Sequence, residues 1–161
     1  MTETDIIEKF YRSFQQKDWQ GMQSCYHADI VFSDPAFPHL KGAHANAMWH
    51  MLVSSARDLS ITFSNVSASA NHGSCDWEAR YTFSKTGAPV HNRIHAQFDF
   101  KDGKIIRHTD AFNLTRWIGM ALGVPGVLLG WSPWLQAKVR ATAASSLAKF
   151  VASQPGYSIE P

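Results

Sequence analysis

The sequence predicts an α+β domain in which one curved antiparallel sheet wraps around N-terminal helices to form a cone, followed by a C-terminal helical extension. Two patterns carry this. Helical spacing dominates residues 4–57, and period-two alternation dominates residues 59–112. Runs of helices followed by runs of strands indicate α+β. The chain then continues past Asn113 in an apolar, helix-spaced stretch. The expected division is a cone over residues 1–115 and an extension over 116–161.

Thr4 or Asp5 can cap a helix running to about Gln16, with Ile6, Ile7, Phe10 and Phe14 as its apolar stripe and Tyr11 beside them. Lys17-Asp18 breaks it, and Asp18 caps a second helix through Cys25 and Tyr26. Ile30, Phe32 and Asp34 alternate with Val31 and Ser33 as a short strand, which Pro35-Ala36-Phe37-Pro38 ends. Gly42 precedes a third helix from about His44 to Arg57, with Met48, Met51, Leu52 and Ser55 as its inner stripe. Residues 59–69 and 74–84 read as strands split by Asn71-His72-Gly73. On the second of these, Cys75, Trp77, Ala79, Tyr81 and Phe83 share a face.

The longest signal is residues 90–113. Val90, Ile94, Ala96, Phe98 and Phe100 alternate with His91, Arg93, His95, Gln97 and Asp99. Lys101-Asp102-Gly103 then breaks the pattern with a turn. The loop length decides which face the next strand presents, because a one-residue slip flips every side chain. A two-residue loop aims Arg107 at the core. A three-residue loop with Gly103 as a bulge sets Ile106 opposite Phe98, His108 opposite Ala96 and Asp110 opposite Ile94. Burial selects the second, with Ile106, His108, Asp110 and Phe112 facing inward. Two polar residues on an apolar inner face need partners or a wet cavity.

The 161 residues suit one domain with a sizeable core, and the formal net charge of +2 comes with no basic stripe, so nucleic acid is not an expected partner. Cys25 and Cys75 stand far apart with no CxxC spacing and read as reduced core residues of a cytoplasmic protein. The opening MTETDIIEKFYRSF reads as a helix start and not as a signal peptide. No HExxH, Cys/His zinc set, glycine-rich phosphate loop or nucleophile elbow is present, so neither a metal nor a cofactor is expected.

Three local patterns carry a family resemblance. They are Asp18-Trp19 between the first two helices, the run from Tyr26 through Asp34-Pro35, and Phe100–Ile105 leading into His108-Thr109-Asp110-Ala111-Phe112. Together with the element order they resemble the cone fold of the nuclear transport factor 2-like superfamily, and within it the SnoaL-like branch, over about residues 4–115. That superfamily includes isomerases, hydrolases, cyclases and non-catalytic binders. In ketosteroid isomerases the base is the Asp of an Asp-Pro step after the first strand, which Asp34-Pro35 matches. The Tyr and Asp of their oxyanion hole fall on Phe10 and Ala96, so both donors are missing. In limonene epoxide hydrolases a final-strand Asp works with an Arg and a second Asp. Asp110 resembles the first, but the neighbouring inner face offers neither partner.

The candidate catalytic residues are therefore Asp34 as a general base, His108 as electrophile or acid, and Asp110 as an orienter or second carboxylate. Against this, an Asp before Pro commonly caps local backbone N–H groups, and His108 and Asp110 could be a structural polar pair. Residues two apart on a strand lie about 6.5–7 Å apart, too far for a dependable direct hydrogen bond. Phe10, Phe14, Met48, Trp77, Tyr81, Ala96, Phe98 and Phe112 are expected to line an apolar pocket. Three functions compete: metal-free proton transfer on a small apolar carbonyl compound or epoxide, binding without catalysis, and an interaction module whose cone is filled by its own side chains.

Residues 117–137, WIGMALGVPGVLLGWSPWLQA, contain no charge. Pro125-Gly126 and Ser132-Pro133 divide them, which argues against a membrane span. The expectation is a helix ending near Gly123, an apolar loop, and a last helix from Pro133 to about Ala152 carrying Leu135, Val139, Ala143, Leu147 and Phe150. From Gly156 the chain reads as a frayed tail. The mixed outer face of residues 90–100 and the apolar extension point to a homodimer, with the extension completing the interface or covering the cone's mouth. Peripheral contact with a membrane is a third and less favoured role for the extension.

Overall fold

The computed structural model describes residues 1–157. Helix α1 (Glu3–Gln15) starts at a capping box in which Thr2 and Asp5 exchange side-chain-to-backbone hydrogen bonds, so the cap is Thr2 and not Thr4 or Asp5. Asp18 caps α2 (Trp19–Ser24) by accepting from the Gly21 N–H at 2.9 Å. That helix stops short of Tyr26, which opens strand β1 (Tyr26–Ser33). A short β2 (Leu40–Lys41) follows, then α3 (Ala43–Ser55). Ala45, Ala47, Met48, Trp49 and Val53 form the buried face of α3. Of the expected stripe Met48 is buried, Met51 and Leu52 are half-buried, and Ser55 is exposed.

The four long strands are β3 (Ser60–Ser69), β4 (His72–Phe83), β5 (Ala88–Lys101) and β6 (Lys104–Ala111). They form an antiparallel meander, and β1 joins it in parallel against β6, giving the order β2-β1-β6-β5-β4-β3. The sheet curves over α1 and α3. Its inner residues Ile61, Trp77, Ala79, Ile94, Ala96, Phe98 and Ile105 share one core with Ile7, Phe10, Phe14, Met48 and Trp49. Each large side chain removed from water here contributes about 1.5–3 kcal/mol.

The hairpin between β5 and β6 corrects the expected turn. Lys101 pairs with Lys104 across a two-residue loop, with Asp102 at φ 53° and Gly103 at φ 72°. Positive φ at both positions is the loop geometry whose twist matches a hairpin. The extra residue sits one step further along. Phe100 pairs with Ile105 and Asp99 with Arg107, leaving Ile106 as a bulge. The bulge restores the inward face after a two-residue loop. Arg107 is exposed, and Ile105, His108 and Asp110 are buried. Ile105 therefore takes the inner position assigned to Ile106. His108 stands opposite Phe98 and Asp110 opposite Ala96, one pair away from the expected register.

Past Asn113, which caps it through the Arg116 N–H, runs α4 (Leu114–Leu122). Residues 124–129 were expected to form a loop and instead make a short helix, α5 (Val124–Leu129). Then comes α6 (Pro133–Ser153), capped by Ser132. Leu114, Ile118 and Leu135 form a second small core with Phe112, Trp117, Leu122 and Val139. A 3-10 turn (Pro155–Tyr157) ends the described chain. Tyr157 is buried, accepting from Gln23 Nε2 at 2.7 Å and lying 2.9 Å from His50 Nδ1, so the chain is anchored at a point expected to fray. Residues 158–161 of that expected tail lie outside the described residues.

Candidate functional site

His108 and Asp110 are completely or almost completely buried, at 0% and 3% exposure. A line of hydrogen bonds runs through them. Trp49 Nε1 donates to the Tyr26 hydroxyl at 2.8 Å. Tyr26 Oη lies 2.7 Å from His108 Nδ1, and His108 Nε2 lies 2.9 Å from Asp110 Oδ1. Trp77 Nε1 donates to the same carboxylate oxygen at 3.3 Å. The partners decide the tautomer. The Tyr26 oxygen already accepts from Trp49, so its one hydrogen goes to His108 Nδ1, and the ring N–H is on Nε2, aimed at Asp110. The direct His108–Asp110 bond corrects the expectation that strand spacing keeps the two apart.

The order of neighbours explains why these groups meet. Tyr26 lies at the start of β1, which pairs in parallel with β6, so strands distant in sequence bring Tyr26 and His108 together. Rings close the space around the imidazole. Phe10, Phe32, Phe98 and Trp49 have centroids 5.4, 5.1, 4.6 and 5.8 Å from it. Of the residues expected to line a pocket, Phe10, Phe14, Met48, Trp77, Ala96 and Phe98 are buried against one another, while Tyr81 and Phe112 are half-buried. The polar groups on the inner face are thus answered by partners and not by a wet cavity. Two open surface depressions, of about 300 and 610 Å³, lie on α1 and on the outward side of β3–β5, away from this interior.

Asp34 stands just past β1, at the rim. Its Oδ1 accepts from the N–H groups of Ala36 and Phe37 at 2.7 and 2.6 Å, the turn-capping role of an Asp before Pro. Its Oδ2 makes none of the hydrogen bonds described. Burial pushes the carboxyl up to about 7, with the charge of Asp110 adding to the rise, while the N–H groups of Phe37 and Ala36 pull the other way. Tyr81 is close enough for the Asp34 charge to raise its hydroxyl, after burial as the main cause. The Tyr81 oxygen accepts from Trp117 Nε1 at 2.8 Å, which leaves its own hydrogen free. The extension roofs this end of the cone, where Arg140 Nε on α6 donates to the Pro35 carbonyl at 2.9 Å.

Asp34, His108 and Asp110 therefore do not form one contact set. His108 and Asp110 touch each other deep in the core, and Asp34 acts on Asp110 through charge from the rim. Sequence reasoning passed over Tyr26, Trp49 and Tyr11. Tyr26 was read as the end of a helix, Trp49 lay outside the stripe expected to face inward, and nothing local marks a hydrogen bond across 82 positions. Tyr11 is fully buried and its hydroxyl has no partner, a feature visible only in the packed fold. Among the described residues no group of three or more His, Cys, Asp or Glu side chains is placed to hold a metal ion.

Solved structures share this architecture. An NTF2-like protein of unknown function from Burkholderia pseudomallei K96243 is 14% identical, with 74% of this chain and 98% of that chain covered at a TM-score of 0.64. IdmH, a proposed polyketide cyclase from Streptomyces antibioticus, is 18% identical, with 76% and 100% covered at 0.64. A hypothetical protein with a ketosteroid isomerase-like fold from Catenulispora acidiphila DSM 44928, in complex with trimethylamine, is 13% identical, with 82% and 100% covered at 0.66. At these identities the likeness shows the fold alone. No curated protein matches the chain. The family model for the SnoaL-like domain matches residues 7–108, nearly the whole helix-and-sheet cone, and the chain belongs to that family.

Proposed function

We propose that this SnoaL-like chain binds a small apolar carbonyl compound at the rim of the cone and moves a proton on it, with Asp34 as the base. The observation that carries the reading is the state of Asp34. One oxygen is fixed by two backbone N–H groups, and the carboxyl is pushed up to about 7 by burial. A base works best when its pKa lies near the operating pH. In the proposed step the C–H bond next to the carbonyl breaks and its proton goes to Asp34 Oδ2. In a β,γ-unsaturated ketone the electron pair spreads over the carbonyl and the double bond as a dienolate, and return of the proton from Asp34 to the γ carbon completes isomerisation to the conjugated enone. The free hydrogen of Tyr81 is the donor suited to the enolate oxygen. His108 and Asp110 serve from behind, their hydrogen bonds already used on each other and on Tyr26. Naming of the Streptomyces antibioticus relative as a proposed polyketide cyclase fits a small-molecule site in this fold.

The packed interior supports a second reading, a non-catalytic module whose cone holds only its own side chains. Turnover separates the two. Wild type and Asp34→Asn are to be screened for enone isomerisation and epoxide hydrolysis. The proposal expects isomerase activity that rises with pH through about 7 and is lost in the variant. Activity unchanged in Asp34→Asn, or no turnover of any enone, defeats it.

A further inference from the structure

The six residues of α5 are turned inside out for a helix on a soluble domain. Its small face packs inward: a Cβ on Gly126 would strike the Ile118 carbonyl of α4, and one on Gly130 would meet the Gly126 and Thr115 carbonyls. Its large apolar side chains face water. Val124, Val127, Leu128 and Leu129 are 72%, 68%, 65% and 46% exposed, and Trp131 and Trp134 beyond them are each 66% exposed. Apart from Met1, these are the exposed large hydrophobic residues among the described residues, and they lie within eleven positions of one another. A contiguous patch of this kind on a soluble protein marks a contact surface.

Charge selects the occupant. From residue 111 to residue 157 the chain has four cationic side chains, Arg116, Lys138, Arg140 and Lys149, and no carboxylate. Arg116 and Lys138 flank the patch in sequence and are exposed, and the Lys138 ammonium lies 5.4 Å from the centre of the Trp134 ring. A second copy of the same patch would bring like charges together. An apolar tip with indoles at its edge and cations behind it matches an anionic lipid surface, where indoles settle at the headgroup level and lysines reach back to the phosphates. No described helix is long and apolar enough to cross a membrane, so contact of this sort is peripheral.

We propose that α5 and the turn after it, residues 124–134, form a docking surface for an anionic phospholipid bilayer. Of the three roles expected for the segment, this takes the least favoured one over a lid on the cone or a contact with a subunit. It is independent of the role of Asp34. The test is flotation of the full chain with phosphatidylcholine vesicles, with and without phosphatidylglycerol, at low and high salt. Indole emission and quenching by brominated lipid are read in parallel. Expected is binding that needs phosphatidylglycerol, weakens with salt, and shifts indole emission to the blue. Leu128→Ser should abolish it, and Lys138→Glu should weaken it by about fivefold or more, since one basic residue near an anionic surface contributes about that factor. Both sites are exposed, and unchanged circular dichroism checks that the variants fold. Failure to float with the phosphatidylglycerol vesicles, or equal binding to both compositions, overturns the proposal. So does a dimer in light scattering that Leu128→Ser dissociates without vesicle binding by the wild type, which would assign the patch to a second copy.

Discussion

His108 Nε2 and Asp110 Oδ1 are 2.9 Å apart, although the two residues sit two positions apart on one strand and their Cα atoms are more than twice that distance from each other along it. The imidazole spans the gap by lying along the strand, braced at its other nitrogen by Tyr26. A buried polar line of this kind is costly to break at one point, because each orphaned donor or acceptor keeps its desolvation penalty. Tyr26→Phe leaves His108 Nδ1 and Trp49 Nε1 without their partner. The variant should lose about 1–3 kcal/mol of stability in urea unfolding, with an unchanged urea slope. A loss below about 0.5 kcal/mol would mean the line is not held closed in solution.

Asp34 should make stability depend on pH in the direction opposite to an ordinary ion-paired carboxylate. Its carboxyl is pushed up from 3.8 to about 7 in the fold, so between those values the folded chain holds the extra proton. Stability from this group is complete below about 3.8 and is lost as pH rises through about 7. Asp34→Asn keeps the acceptor for the Ala36 and Phe37 N–H groups and removes the charge. Its stability relative to wild type should therefore grow between pH 5 and pH 8, by an amount on the order of a few kcal/mol at most. Parallel pH profiles for the two proteins would rule out the raised carboxyl.

Both thiols should be inert in the folded protein. Cys25 and Cys75 are buried and unpaired, and burial raises both, Cys75 to about 12. The thiolate is the reactive form. Labelling with a maleimide at pH 7.5 should stay below one thiol per chain until denaturant is added, when both should react. Rapid native labelling of Cys75 would mean that β4 opens readily.

The Tyr157 anchor should loosen in mild acid. His50 lies between the Trp19 ring, stacked at 3.7 Å, and the Tyr157 hydroxyl, and burial lowers its pKa. Stability from a base with a lowered pKa is present above its ordinary value of 6.5 and lost as pH falls through the folded value. Protection from hydrogen exchange in the last turns of α6, taken relative to the intrinsic exchange rate, should therefore fall in wild type as pH drops below 6.5. In Tyr157→Phe, which lacks both hydrogen bonds, exchange should be fast at neutral pH already. Equal protection in the two proteins at pH 7.5 would show that packing of Phe150 and Tyr157, and not the hydroxyl, holds the end.

The fold class and the four long strands were determined by the sequence alone, because each rests on local periodicity, whereas the start of β1 at Tyr26 and the short β2 were not legible there. Alternation from Val90 to Phe100 fixes which residues of β5 face inward, whatever they pack against. The Asp34-Pro35 step and the cap at Asp18 are equally local. Tertiary structure alone decided the rest. A two-residue loop at Asp102-Gly103 needed a bulge at Ile106 to turn His108 and Asp110 inward, and the phase shift it makes is hidden because Ile105 and Ile106 are both apolar. Parallel pairing of β1 with β6 brought Tyr26 onto His108, and the packing of α3 brought Trp49 onto Tyr26. The candidate pocket became a closed hydrogen-bonded core for the same reason: whether inward polar groups meet water or each other depends on contacts between residues far apart in the chain. The exposed face of α5 follows that logic in reverse, since glycine contacts with α4 send its large apolar side chains outward.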